Sequence, residues 1–146
     1  MKVQNLKLIA KTDEDLRVIS AHLQDSIVKT SDIANLKKNK IFLMQLNRFM
    51  WEDVEKGVFR QNKRIRCAVK FEDVLKVKSK NINQKNKNKA LEYLAIKFSS
   101  NRNEACEIKI FFAGDSIITI ISETIDVVMH DLGTPWNVKH IPIHKI

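Results

Sequence analysis

The sequence predicts an α+β fold, in which a mostly antiparallel sheet of eight or nine strands curls into a barrel-like roll beside one N-terminal helix. Three observations predict it. Most of the chain alternates between apolar and polar residues, as strands with one buried face do. Only one stretch, near the N-terminus, has the period of an amphipathic helix. Short turns join the predicted strands, which favours antiparallel pairing.

The N-terminal elements are a short strand at residues 6–10 and the helix. Thr12 is placed to cap the helix, and Asp15 is placed to complete a capping box. Apolar residues then recur at helical spacing up to Gln24 or Asp25, where the helix should end. The residues of this apolar stripe that should face the sheet are Leu16, Ile19 and Leu23.

Two more strands are predicted before the middle of the chain. Residues 26–33 form the first, and a polar turn at 35–39 leads into a long second strand at 40–50. This second strand is apolar on both faces, so it should be covered on both sides. Residues 53–63 then form a loop or short helix, of a length that is often functional.

The strongest alternation follows and is strongly basic. Residues 64–71 and 75–80 should be two strands of a hairpin that turns at 72–74. If both strands face one core, Phe71 lies near Leu75 and Lys70 lies opposite Lys76. The outer face of the hairpin then carries six cations and no carboxylate. These cations are Arg64, Arg66, Lys70, Lys76, Lys78 and Lys80.

The rest of the chain continues the antiparallel pattern. A polar loop at 81–89 is followed by strands at 92–98, 106–112, 116–122 and 124–130. Gly114 should supply the positive φ of the turn at 113–115. Residues 131–136 should end the regular structure, and 137–146 should form an extended strap. A pleckstrin-homology-like roll is one architecture with this count, an analogy that concerns shape alone.

The charge of the chain is concentrated in the basic region. The net charge is +9, and residues 56–89 hold 12 basic and two acidic residues. The remainder is close to neutral, so the whole excess lies in about a quarter of the sequence. A clustered excess is the electrostatic pattern expected for a polyanionic partner. The alternative is compositional, because Lys, Asn and Ile are over-used throughout, as an AT-rich genome would produce.

Arg48, Trp51 and Trp136 form a second candidate set. An arginine beside exposed aromatic rings can stack on bases or hold an anion. The alternative, which we favour, is structural. Trp51 would then plug the end of a strand, and Trp136, with Pro135, would fix the C-terminal strap.

No motif for catalysis, metal binding or cofactor binding is found. The three glycines are far apart, so no phosphate-cradling loop is predicted. His140 and His144 have metal-ligand spacing only on a helix, and Pro142 lies between them. Cys67 and Cys106 lie on separate strands without a Cys-x-x-Cys pair, which indicates a reducing cytoplasm. We therefore assign no catalytic residue, no metal and no cofactor.

Several short segments resemble an alphaproteobacterial family called domain of unknown function 2948. They are Leu23-Gln24-Asp25-Ser26-Ile27-Val28-Lys29, Asn47-Arg48-Phe49-x-Trp51-Glu52, Arg64-x-Arg66-x-Ala68, Phe112-Ala113-Gly114 and Asp131-Leu132-Gly133-x-Pro135-Trp136. The resemblance spans nearly the whole chain. It implies a one-domain bacterial cytoplasmic protein and assigns no activity, ligand or catalytic residue.

Three hypotheses for function follow from the sequence. The first is a small cytoplasmic binding module that presents the basic face to an acidic protein or another polyanion. The second is sequence-independent binding of nucleic acid, RNA rather than duplex DNA, since no recognition helix is predicted. The third is an enzyme that no motif identifies. The sequence has no apolar run long enough to span a membrane, and it does not indicate an oligomeric state.

Overall fold

The computed structural model describes residues 5–52, 62–100 and 105–138. These residues form one α-helix, α1 (Asp13–His22), and ten strands. The strands are β1 (Lys7–Ala10), β2 (Ile27–Lys29), β3 (Ile33–Leu36), β4 (Ile41–Phe49), β5 (Lys63–Phe71), β6 (Val74–Lys80), β7 (Ala90–Ser100), β8 (Cys106–Phe112), β9 (Ser116–Ser122) and β10 (Val127–Asn137). The predicted α+β fold is confirmed. The strand count is higher because a 3-10 turn at Thr30–Asp32 divides the strand predicted at 26–33 into β2 and β3.

All strands pair antiparallel in one sheet with the order β1-β10-β5-β4-β2-β7-β8-β9-β6, and β3 also pairs with β4. The sheet is curled and does not close, so within the described residues β1 and β6 each pair on one side only. For the description below, the β5 half consists of β1, β10, β5, β4 and β3. The β8 half consists of β7, β8, β9 and β6, and β2 joins the two halves.

The inner faces of both halves enclose a single apolar core, and α1 covers it by packing on β1 and β7. Leu16, Ile19 and Leu23 are buried there, as the helical spacing predicts. A polar contact also fixes the helix to β7. The Ser20 hydroxyl lies 2.8 Å from the Tyr93 hydroxyl and accepts a hydrogen bond from the Ile96 amide at 3.0 Å.

The predicted hairpin of residues 64–71 and 75–80 is wrong. β5 lies between β10 and β4, whereas β6 pairs with β9 in the other half of the sheet. Lys70 therefore lies opposite Leu43 and Val128 instead of Lys76. Only two residues connect the strands, and a two-residue hairpin would break the parity that puts both apolar sets on one core face. Separating the strands also removes like charges from directly opposite positions.

The first residues of β6 also face differently from the prediction. Its register with β9 shifts between Val74 and Lys76, a bulge that leaves Leu75 exposed and buries Val74. The Val74 amide donates to the Lys40 carbonyl oxygen at 2.9 Å, which directs the chain away from β5. The prediction that Leu75 faces the core beside Phe71 is therefore wrong.

The segment at 131–136 also differs from the prediction, because the regular structure does not end there. β10 continues to Asn137, and its register with β5 shifts between Leu132 and Trp136. Gly133, with φ +72°, lies within this irregularity. Gly114 has the positive φ, +79°, that its predicted turn requires. Residues 53–61 of the predicted loop and residues 139–146 of the predicted strap lie outside the described residues.

The start of α1 follows the predicted capping pattern with one change. The Thr12 side chain accepts a hydrogen bond from the Asp15 amide at 3.2 Å. The Asp15 carboxylate accepts from the Lys11 amide at 3.1 Å, one residue before the position that a standard capping box uses. Both bonds satisfy amides that have no partner within the helix.

Thr12→Ala should lower the free energy of unfolding by about 1 kcal/mol, because it removes the side-chain acceptor at the N-cap. Thr12→Ser keeps the acceptor and should lie close to the wild type. Urea denaturation followed by circular dichroism measures both. Equal losses in the two variants would mean that the Thr12 methyl group, not the cap bond, stabilises the helix.

Candidate functional site

Arg48 occupies a core position in β4. The inner face of this strand carries Phe42, Met44 and Leu46, and the same alternation brings Arg48 inward at the end of the row. Its side chain has no exposed surface. A buried guanidinium is costly unless its charge is paired and its N–H groups are bonded. Its partners therefore decide what this position does.

Two carboxylates surround the Arg48 guanidinium. Nε and Nη2 each donate to one oxygen of Asp131, both at 2.7 Å. Nη2 and Nη1 donate to the two oxygens of Glu52 at 2.7 and 3.0 Å. Nη1 also donates to the Phe49 carbonyl oxygen at 3.3 Å. These five bonds match the five N–H donors that arginine has, so no donor is left for an incoming anion.

The pKa values in this cluster follow from the pairing. Burial alone would lower the pKa of Arg48, but hydrogen bonds and charges of Asp131 and Glu52 outweigh burial and raise it. Burial alone would raise the pKa of Glu52, but the hydrogen bonds and charge of Arg48 outweigh burial and lower it from its ordinary value. Arg48 is therefore charged and Glu52 is ionised at neutral pH.

Two further side chains border the cluster. The Nδ1 atom of His22, the last residue of α1, lies 3.9 Å from Glu52 Oε2. Cys67 is buried on β5, directly opposite Asp131. Burial, with the nearby Asp131 charge, raises the pKa of the Cys67 thiol to about 12. The thiol is therefore protonated at neutral pH and is a poor nucleophile.

Four of the five segments that carry the family resemblance meet around Arg48, whereas residues 112–113 bond to β7. Trp51 packs edge-on against Phe49 with ring centroids 4.6 Å apart, and its indole N–H donates to the Gln24 carbonyl oxygen at 2.9 Å. Arg64 Nη1 donates to the carbonyl oxygens of Asp25 and Asn47 at 3.2 and 3.0 Å. Segments distant in sequence are thus joined by specific bonds at one end of the roll.

This geometry favours the structural interpretation of Arg48 and Trp51 over an anion or stacking site. Arg48 is buried and saturated, and Trp51 holds the segment that follows α1. Trp136 lies at the same end of the roll, opposite Arg64, but it is 40% exposed, whereas Arg48 has no exposed surface. The structure does not bring the three residues into one exposed surface.

The β5 members of the predicted basic face have local partners. Arg66 Nη2 lies 2.8 Å from an Asp32 carboxylate oxygen, and Arg66 also donates to the Asn47 and Gln45 side chains. The Lys70 Nζ lies 3.4 Å from a carboxylate oxygen of Glu72. Arg64, as described above, bonds to two carbonyls. These three cations form no common face with the lysines of β6.

The β6 members belong to a different surface, formed by the outer face of the β8 half. One row crosses four strands: Lys78 lies opposite Thr119, Thr119 opposite Lys109, and Lys109 opposite Lys97. Residues directly opposite each other in antiparallel pairs project from the same face of the sheet. Three lysines therefore project together from one row.

Two flanking rows extend this surface. They consist of Lys76, Ile121, Glu107 and Ser99 on one side, and of Lys80, Ile117, Phe111 and Ala95 on the other. We call the surface of all three rows the lysine face. It holds five lysines and one carboxylate, Glu107, which lies 3.4 Å from the Lys109 Nζ. The Lys97 Nζ lies 5.6 Å from the centroid of the Phe111 ring.

Three residues of the lysine face, Lys97, Lys109 and Phe111, were not among the predicted site residues. The outward alternation of 106–112 contains Lys109 and Phe111, but the sequence gives no indication that β6 and β8 both flank β9. Only the pairing register brings these side chains together with Lys78 and Lys80.

Other types of site lack support in the described part of the chain. No group of three or more His, Cys, Asp and Glu residues there could hold a metal ion. No helix in the described ranges is long and apolar enough to cross a membrane.

The family comparison agrees with the resemblance. A family model described as "Protein of unknown function (DUF2948)" matches residues 6–144. Neither the curated proteins nor the solved structures contain a match to the chain. The fold and the surfaces above are therefore the basis on which a function can be proposed.

Asp131→Ala should lower the free energy of unfolding by about 3–5 kcal/mol, because it leaves the buried Arg48 with two N–H groups unpaired. The double variant with Arg48→Ala should lose much less than the sum of the single losses. Denaturant unfolding of the four proteins gives the coupling energy. As a control, Asp126→Ala removes an ion pair with the exposed Lys11 and should cause a much smaller change. Additive losses at positions 48 and 131 would contradict the pairing.

Glu52 should contribute to a loss of stability in acid. Because its pKa is lowered in the folded state, its contribution is present above pH 4.5 and disappears as the pH falls through the lowered value. Glu52→Gln should therefore show a shallower decline of unfolding free energy between about pH 5 and about pH 3. Glu92→Gln, at an exposed carboxylate, should keep the wild-type slope. Identical slopes in both variants would rule out this role for Glu52.

Proposed function

The chain belongs to the DUF2948 family, and we propose that it acts as a small non-enzymatic module that binds a polyanion through the lysine face. The observation that supports the proposal is the row register that places five lysines and one carboxylate on one sheet surface. A cytoplasmic setting is part of the proposal. Its support is the free state of Cys67 and Cys106, which suits a reducing compartment.

The lysines that β6 contributes to the lysine face differ from the β5 cations of the predicted basic face in their pairing and exposure. Within the described residues, Lys76, Lys78 and Lys80 form no ion pair, and all three are exposed. Lysines two positions apart on a strand are roughly 6.7 Å apart, so β6 presents three charges in a line. Such mobile point charges suit a partner with many spaced anions better than one fixed carboxylate. An acidic protein segment has this chemistry.

Single-stranded RNA is the second candidate, and Phe111 favours it. The ring is half-buried on the lysine face, in the same row as Lys80 and beside the row of Lys78. Proteins that bind single strands combine a positive surface with aromatic rings on which bases stack. A sheet surface with an aromatic residue among lysines has both elements.

Fluorescence anisotropy with a labelled single-stranded RNA oligomer and a labelled poly-glutamate peptide tests the proposal. Each titration is made at about 50 and about 200 mM salt. We expect binding that weakens steeply with salt and is lost when Lys76, Lys78 and Lys80 are replaced by Gln. Binding of RNA far tighter than that of poly-glutamate, reduced further by Phe111→Ala, would select the second candidate.

A matched control separates the lysine face from net charge. Replacing Lys7, Lys29 and Lys38 by Gln also lowers the net charge from +9 to +6, at exposed positions on other surfaces. This variant should bind nearly as well as the wild type. Equal losses in both triple variants, or no binding of either probe at the lower salt, would contradict a specific lysine face and support compositional bias.

A further inference from the structure

The curled sheet leaves a cleft where it fails to close. β3 pairs with β4 on one side and β6 pairs with β9 on one side, and both strands line the same cleft. Its volume is about 590 Å³, within the range of roughly 300–1,000 Å³ that is typical of small-molecule sites. The cleft lies on the inner side of the sheet, so it is separate from the lysine face.

The floor of the cleft is apolar. Phe42 and Ile118 are core residues whose buried side chains form its base, and Ile33, Val77 and Ile82 are half-buried around them. Side chains of β3 and β6 that face inward, and that a closed sheet would bury, are thus accessible here. An apolar group that covered them would be stabilised by the removal of apolar surface from water.

The rim of the cleft is positively charged. Lys37 and Lys87 line it, and its described lining contains no carboxylate. Asp32 lies between two lining residues, Ser31 and Ile33, but its carboxylate points away to Arg66 at 2.8 Å. Asp32 therefore does not compensate the charge at the mouth of the cleft.

The segment at 81–89 forms one wall, and hydrogen bonds fix it. The amides of Thr30 and Ser31 donate to the carbonyl oxygens of Lys89 and Lys87 at 3.1 and 3.0 Å. The Thr30 hydroxyl donates to the Asn86 carbonyl oxygen at 2.6 Å. The Lys/Asn-rich loop is thereby attached to the turn that precedes β3, with Lys87 at the cleft.

We propose that this cleft binds a small amphiphilic anion, a molecule with an apolar chain and one carboxylate head, such as a medium-chain fatty acid. The chain would cover the floor of Phe42, Val77 and Ile118, and the head would pair with Lys37 and Lys87. Polar side chains at the rim, Asn35 and Gln84 among them, supply further hydrogen bonds. A cationic amphiphile meets two like charges there, and a neutral one leaves the lysines without a partner.

Isothermal titration calorimetry with octanoate, below its micelle concentration, tests the site, with octanol and octyltrimethylammonium as comparison probes. We expect octanoate to bind and the other two probes not to bind. Replacing both Lys37 and Lys87 by Gln should weaken binding roughly tenfold or more, since the charge-assisted bonds to the carboxylate head are lost. Replacing Lys38 and Lys85 by Gln, which changes the charge equally beside the cleft, should leave it unchanged.

A second variant tests the apolar floor. Val77→Phe places a larger side chain in the cleft and should abolish octanoate binding, and Ser79→Leu does the same from the rim if the first variant fails to fold. Retained binding in a folded cleft-filling variant, equal losses in the two lysine pairs, or equal binding of the three probes would overturn the proposal. RNA or poly-glutamate binding by the lysine face should persist in all these variants, so the two proposals fail separately.

Discussion

The buried pair of Arg48 and Asp131 is the constraint on which one end of the roll depends. It joins β4 to β10 across β5, and Glu52 extends the same bonds to the segment that follows β4. Water cannot solvate the charge of a guanidinium that has no exposed surface. The Asp131 and Glu52 carboxylates must therefore be bonded to Arg48 whenever the core is formed. The alternation that makes β4 a core strand therefore carries an ion into the interior, and the fold is built to neutralise it.

This constraint also separates the structural residues from the candidate binding residues. A saturated guanidinium and a thiol with a raised pKa offer neither an anion site nor a nucleophile, although they lie where the family segments meet. Within the described residues, the two surfaces on which our binding proposals are based are the lysine face and the cleft between β3 and β6. Both result from the way the sheet curls without closing, because the roll exposes one outer face and leaves one seam open.

The sequence predicts the local structure well and the long-range pairing poorly. The Thr12 cap, the Leu16 stripe and the Gly114 turn depend on neighbouring residues, and the structure has all three. The pairing partner of β6 depends on the strand order of the whole sheet. Alternation cannot specify this order, because a strand with one apolar face can pair with any free sheet edge. Bulges add a second limit, since a single extra residue exposes Leu75 and buries Val74 without changing the composition of the segment.

The arginines of β4 and β5 and the lysines of β6 have different surroundings, which bears on the compositional alternative. Arg48, Arg64 and Arg66 each make directional bonds to carbonyl, amide or carboxylate oxygens, as a planar fork of donors allows. Lysine cannot replace such bonds, so genome bias toward lysine can act only where a cation has no fixed partner. Among the described residues, the three lysines of β6 are in such positions, which explains how lysines could accumulate there. Bias alone, however, does not predict that β6, β8 and β7 contribute lysines to one sheet surface with a single acid, and this arrangement is the argument for function.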